Sequence, residues 1–434
     1  MLSRRHLFSL SALAIAAPAL AACAGSSSPL GSTGPDAPGA LRLVFSDVRR
    51  ATPAANAIDG GVATVTAVGA ALWSQLPTSG NVAISPFSVA VALGMTANGA
   101  GGTTLSEMLD VLDSADVAGL DTGLNALTQQ IESLAGPLDR FEGDDAEIAL
   151  DSANQLFGQD GVTWQPAFLD ALARDFGAGM RTVDYVGEVE TARSAINGWT
   201  AEQTHDRIPE IIPAGLLDSD SRLVLVNALY FKARWATTFE KLSTEDGDFT
   251  LADGTTVRVP MMHATVGQSS VGEGWTSVRL PYVGDTLAMT VVLADEGRES
   301  TLDARISAGH VQELLQTGAR PVDLTMPRWT FRSDFSLKRA LSVAGMTTAF
   351  SDEADFSRMT SDEALAVDDV LHQVFVAVDE DGTEAAAATA VGMTTTGALL
   401  TAESLVLDRA FLFVIYDVEH ATPLFVGRVG DPRS

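Results

Sequence analysis

Residues Val378–Leu407 read VDEDGTEAAAATAVGMTTTGALLTAESLVL. The segment leaves an apolar run at Val378, passes through the turn-forming Asp379-Glu380-Asp381-Gly382, and continues in Ala, Thr, Gly and Met with Glu384 as its one charge before Glu403. Such small side chains cannot build a core, yet a proline-free run of β-tolerant residues is not a simple disordered tail. Laid out as a strand, Thr383, Ala385, Ala387, Thr389, Val391, Met393 and Thr395 share one face, while Glu384 falls on the other and points outward. The pattern predicts a mobile loop able to enter the middle of a sheet, since no proline removes a ladder donor.

A sheet to receive it is expected upstream. Leu223-Val-Leu-Val-Asn227-Ala-Leu-Tyr-Phe231-Lys-Ala-Arg-Trp235 lacks Gly and Pro, is rich in β-branched and aromatic residues, and reads as a buried central strand. Asn227 inside it needs a partner, because an unsatisfied buried amide costs about 1–3 kcal/mol. His372 shares a strand face with Val374, Val376 and Val378, which suits a buried, hydrogen-bonded imidazole. Val62, Val65, Val68 and Leu72 recur at helical spacing within Ile58–Leu76. A short strand ends at Ser85, and Pro86 suits the first turn of the helix that follows. Further helices are expected over Leu105–Leu112, opened by a capping box in Thr104-x-x-Glu107, over Leu124–Leu134 and over Gln165–Phe176. Strands are expected over Ile148–Phe157 and Met180–Val186.

In order along the chain, these stretches resemble the serpin family. Glu380-x-Gly382-Thr383-Glu384-Ala385-Ala386-Ala387 is similar to the hinge of the serpin reactive-centre loop, a known case of loop insertion into a sheet. Asn81-x-x-x-Ser85-Pro86-x-Ser88, Asn227-Ala-x-Tyr-Phe-Lys-x-x-Trp235 and Pro423-Leu-Phe425-Val-Gly427-Arg match further motifs, and the likeness runs from about Leu41 to Pro432. The resemblance implies an α+β serpin fold: three β-sheets, eight or nine helices and an exposed reactive-centre loop over about residues 380–405, in a single domain of residues 41–434. It implies a hinge of Glu380, Gly382, Thr383, Glu384, Ala385, Ala386, Ala387 and Ala388, and a polar shutter of Ser85, Ser88, Asn227 and His372. Trp235 is implied at the breach where the loop first enters, and the helix within Glu188–Ile212 is implied to lie across the front of the main sheet.

The function implied is that of a suicide substrate. A serine protease attacks the loop, an acyl-enzyme forms, and the cleaved loop inserts as a strand and distorts the protease; the partner is the target protease, bound covalently to a monomer. A hinge without bulky residues or proline favours inhibition over a non-inhibitory binding or scaffold role on the same fold. Counting forward from Glu380 places the scissile bond after Thr396, before Gly397; counting back from Phe411 places it nearer Leu399 and Leu400. No Lys or Arg lies between Gly382 and Arg409, which disfavours a trypsin-like target and favours an elastase-, chymotrypsin- or subtilisin-like one, a cysteine protease being the alternative.

No enzyme motif competes with this reading. The histidines His6, His205, His263, His310, His372 and His420 include no pair with metal-ligand spacing, and HExxH, CxxC and GxSxG are absent, so neither a metal nor another cofactor is expected. Ser85 and His372 offer a nucleophile–base pair only at the level of a motif, and Asp379-Glu380-Asp381-Gly382 lacks the spacing of a calcium loop. Gly99-Ala-Gly-Gly-Thr103 lacks the Lys of a phosphate loop and reads as a turn.

Residues 1–22 read as a signal peptide, with Arg4 and Arg5 before the apolar run Leu7–Leu20. Leu20-Ala-Ala-Cys23 resembles a bacterial lipobox, which implies lipidation of Cys23 and anchoring of an exported protein to a membrane; the alternative is an ordinary cleavage near Ala22. Cys23 is the only cysteine, so no internal disulfide holds the fold. Residues 23–40, rich in Gly, Ser and Pro, read as a flexible tether. The formal charge of −29 repels nucleic acid and anionic headgroups, so no nucleic-acid partner is expected.

Overall fold

The computed structural model describes residues 41–138, 147–316, 318, 320–384 and 403–433. The signal and tether segments, Cys23, the hinge alanines Ala385, Ala386, Ala387 and Ala388, and both scissile alternatives, Thr396-Gly397 and Leu399-Leu400, lie outside these residues.

The strands in chain order are β1 (Arg42–Val44), β2 (Val82–Ile84), β3 (Gly136–Pro137), β4 (Glu147–Gln159), β5 (Met180–Val183), β6 (Leu223–Arg234), β7 (Glu245–Thr250), β8 (Thr256–Gly272) and β9 (Trp275–Pro281). They continue with β10 (Leu287–Ala294), β11 (Arg320–Pro327), β12 (Trp329–Ser336), β13 (Asp369–Val378), β14 (Gly382–Thr383), β15 (Glu403–Val406), β16 (Phe411–Asp417) and β17 (Thr422–Val429). The helices are α1 (Ile58–Trp73), α2 (Pro86–Ala97), α3 (Gly102–Val111), α4 (Val117–Glu132), α5 (Pro166–Ala171), α6 (Val189–Gln203), α7 (Glu299–Ser307), α8 (Val311–Leu314) and α9 (Lys338–Val343), nine among the described residues.

The main sheet runs β1-β5-β4-β6-β14-β13-β12, and a nine-stranded sheet runs β15-β11-β8-β9-β10-β16-β17-β2 with β7 paired to β8. The short β3 pairs only with the start of β4, through Gly136↔Ile148 and Pro137↔Glu147, and makes a third, small sheet. This is the three-sheet α+β architecture expected.

The main sheet is buried on both faces, which explains the unbroken apolar run of β6. On one face Leu223, Leu225, Leu229, Phe231 and Ala233 join the large core shared with α2 and the nine-stranded sheet. On the other, Val224, Val226 and Ala228 pack beneath Ala192, Ile196 and Trp199 of α6. The helix therefore lies across the front of the sheet, and the chain after it stays pinned there. Asn197 donates to the Ile212 carbonyl (3.0 Å) and accepts from the N–H groups of Ile211 and Ile212.

Three local expectations are corrected. The helix after Gly101 starts at Gly102 and makes no capping box. Thr104 Oγ1 instead accepts from the Asp355 N–H (2.9 Å), and Glu107 accepts from the N–H groups of Thr347 and Thr348 (2.8 and 2.7 Å), so both side chains serve contacts distant in sequence. The strand from Met180 stops at Val183, because Gln159 Oε1 takes the N–H groups of Tyr185 and Val186 out of the ladder. The helix expected over Gln165–Phe176 is α5 followed by a π-helical turn, Leu172–Phe176, that ends in Gly177 at φ 62°.

Candidate functional site

Three adjacent strands carry one polar residue each at the same level of the main sheet. Asn227 of β6 stands opposite Asn154 of β4 on one side and His372 of β13 on the other. Around them the faces are apolar, so every polar atom must find a partner inside the protein. The Ser85 N–H donates to His372 Nε2 (2.9 Å); Nδ1 therefore carries the ring proton and donates to Asn227 Oδ1. Asn227 Nδ2 donates to Ser88 Oγ (2.7 Å) and to Asn154 Oδ1 (2.5 Å), and Ser88 Oγ also donates to Asn154 Oδ1 (2.7 Å). Ser85 caps α2 by accepting from the Ser88 N–H (3.2 Å). The network thus ties the start of α2 to the centre of the sheet, directly below the level at which β6 and β13 part.

Ser85, Ser88, Asn227 and His372 are all brought together, as expected, but not as a hydrolytic pair. Ser85 Oγ is occupied by its helix cap, His372 faces the Ser85 backbone, and the residues are at most 1% exposed. Burial pulls the His372 pKa down to about 4, keeping the ring neutral.

This has a pH consequence. A histidine at about 4 folded and 6.5 unfolded leaves the fold fully supported above pH 6.5 and withdraws up to about 3 kcal/mol as pH falls towards 4. The native protein is expected to unfold faster in urea at pH 4.5 than at pH 7, and His372→Gln to flatten that dependence; equal acid sensitivity in the variant would place the labile group elsewhere.

Above the polar row, β6 and β13 are parallel neighbours from Asp369↔Val224 to Val374↔Leu229 and then separate. Into the gap comes β14. Gly382 and Thr383 pair antiparallel with Arg234 and Ala233 of β6, and Thr383 also pairs with Val378 of β13. A Cβ on Gly382 would stand 2.2 Å from the Ala233 carbonyl oxygen, so only glycine allows this approach. Thr383 is 2% exposed, and its hydroxyl shares a hydrogen bond with Tyr282 (2.7 Å). Tyr282 in turn stacks on Trp235 (4.6 Å, 12°), whose indole N–H donates to the Asp379 carbonyl (3.0 Å).

The turn before β14 is fixed by charge. Asp379 Oδ1 accepts from the N–H groups of Asp381 and Gly382, while Lys241 pairs with Asp381 (2.6 Å). Glu380 accepts from Thr244 Oγ1 (2.5 Å) and from Arg328 Nε and Nη2 (2.8 and 2.5 Å). Burial alone would push the Glu380 carboxyl up, but the bonds from Thr244 and Arg328 outweigh it and hold the group below its ordinary value. The turn is thus held by Lys241, Thr244 and Arg328 from outside and by Asp379 from within.

Glu384 departs from expectation. It does lie opposite Thr383, but its side chain is only 8% exposed and forms an ion pair with Arg207, from the turn after α6. The outward side of the sheet is covered at that point, so facing outward is not facing water.

Asn154, Tyr282, Arg328, Lys241, Thr244 and Arg207 were not singled out in the sequence. None of them carries a local signal; Asn154 sits among Asp151, Ser152 and Gln155 in its strand, unlike the lone amide of Asn227.

A family model described as serpin (serine protease inhibitor) matches residues 63–432. An uncharacterized serpin-like protein of Thermococcus kodakarensis is 35% identical over 370 residues, covering 84% of each chain. The leukocyte elastase inhibitor of Sus scrofa is 33% identical over 365 residues, covering 82% of this chain and 94% of its own. Among solved structures, the native state of the thermophilic serpin tengpin superposes with a TM-score of 0.76 at 25% identity, covering 88% of this chain and 97% of that one.

Proposed function

Because the chain belongs to the serpin family, we propose that it inhibits a serine protease as a suicide substrate. The observation that carries this reading is the two-residue strand β14, seated between β6 and β13 where a longer strand would have to start. Residues 385–402, which join it to β15, are the small-sided, proline-free run that suits strand formation.

In this reading the protease serine attacks the carbonyl of Thr396, or of Leu399, and expels the amine of the next residue, Gly397 or Leu400. The protein stays bound as an acyl ester. The freed loop then extends β14 downwards from Thr383 through Glu384 and residues 385–388, prying β6 from β13 past Asn227 and His372 and carrying the protease with it. The backbone bonds and burial withheld until cleavage drive the step, so the intact form persists by a kinetic barrier. Ser85, Ser88, Asn227 and His372 act as the shutter and Trp235 as the breach residue. The absence of Lys and Arg from the loop supports an elastase-, chymotrypsin- or subtilisin-like target. The N-terminal sequence supports export and a lipid anchor at Cys23.

The test is incubation of residues 41–434 with elastase, chymotrypsin, subtilisin and trypsin, followed by denaturing electrophoresis and mass analysis of the released peptide. A covalent complex with one of the first three is expected, with the peptide beginning at Gly397 or Leu400. Cleavage by every protease with full protease activity retained would replace inhibition by a binding or scaffold role.

A further inference from the structure

Helix α6 ends at Gln203, and the turn that follows is unusual. His205 and Asp206 have φ of 49° and 61°, in the left-handed region that non-glycine residues seldom occupy. Glu384 is left-handed too, at 52°, so three of the six non-glycine residues of positive φ among those described meet at one place. Strain of this kind persists only where the surroundings over-determine it.

The surroundings here reach four strands. His205 Nε2 contacts Asp151 of β4 (2.9 Å), and its ring lies 4.5 Å from that of Tyr230 on β6. The Arg207 guanidinium lies 5.6 Å from the centre of the Phe375 ring on β13, and Arg332 of β12 donates to the Arg207 carbonyl (2.5 Å). Glu384 receives Arg207, and the Tyr230 hydroxyl lies beside its carboxylate. The turn therefore bridges the strands that flank the gap and holds the next residue due to enter it.

The Glu384 N–H still donates to the Ala377 carbonyl of β13 (2.8 Å), but a strand needs φ near −120 to −140°, so a residue at +52° carries the ladder no further. Strand β14 stops after Thr383 for this reason. Its extension requires Glu384 to turn to an extended conformation, and the contact with Arg207 must break or re-form as it does.

We propose that Arg207 is a positioning residue that halts the loop after Thr383, by holding Glu384 in a conformation from which the strand cannot grow. The proposal rests on the insertion reading above and adds where the barrier lies. Removing the guanidinium leaves the strain at Glu384 unopposed, and insertion becomes easier.

The experiment compares the wild-type protein with Arg207→Ala, Glu384→Gln and the double variant, measuring conversion of the intact protein on warming to an inhibition-inactive monomer by urea-gradient gels. Each single variant is expected to convert about fivefold faster, the effect of losing one partly exposed ion pair, with the double variant no faster than either. Arg207→Lys should restore part of the delay. The thermal midpoint of the loop-cleaved form, in which Glu384 has already turned, should be the same in all. Unchanged conversion, additive acceleration in the double variant, or equal destabilisation of the cleaved form would overturn the proposal. A wild-type protein whose cleaved loop brings no gain in stability would instead contradict the insertion reading.

Discussion

If the loop traps a protease as proposed, replacing Thr383 with Arg is expected to turn the protein from an inhibitor into a substrate. Thr383 is 2% exposed between two strands, and its hydroxyl is paired with Tyr282. An arginine there would leave the sheet of the intact protein rather than bury an unpaired charge, and β14 would have to take that charge back in, at a cost of several kcal/mol after relaxation, before the cleaved loop could insert. Inhibition is a race between insertion and hydrolysis of the acyl-enzyme, and about 3 kcal/mol added to the insertion barrier slows it more than a hundredfold. The loop should be cut at an ordinary rate while the yield of covalent complex falls at least a hundredfold. Thr383→Ser, which keeps the hydroxyl, should stay close to wild type. An arginine variant that still trapped protease one for one would mean that insertion does not need residue 383 in the sheet.

The second large effect is expected at Glu380. Its carboxylate is 2% exposed and receives Thr244 and two guanidinium nitrogens of Arg328, Nε and Nη2, while Lys241 sits on the neighbouring Asp381. Glu380→Lys places a third cation among two. Arg328 is 45% exposed, so the loss falls short of the about 3–5 kcal/mol of a fully buried pair, yet it remains a large share of what keeps a domain folded. The top of the sheet should then open on mild warming and accept loops from other molecules, giving ladders of oligomers on native gels where the wild type stays as one band. The swap Glu380→Lys with Arg328→Glu should recover much of the monomer. Monomer retained by the single variant at the same temperature would show that this pair does not hold the sheet closed.

The strands and their faces were largely legible from residue type. Alternation put His372 with Val374, Val376 and Val378, and the run around Asn227 announced a strand buried on both sides; the structure makes the two residues direct neighbours. The turn at residues 379–382 was legible from its turn-forming residues. What could not be read were contacts made at long range by ordinary residues. Arg328 meets Glu380 across 52 positions, Arg207 meets Glu384 from another element, and Tyr282 finds Thr383 across 101. The Thr104–Glu107 pair shows the converse error: a good local capping pattern was overridden because Glu107 has backbone partners 240 positions away.

The central claim is that the loop is a strand kept out of its sheet until it is cut. The most direct measurement is the thermal midpoint of the protein before and after cleavage in the loop at a single bond. Insertion should raise it by tens of degrees, because a full central strand adds its ladder bonds and burial to the main sheet. An unchanged or lowered midpoint, with the cut confirmed by mass, would contradict the account.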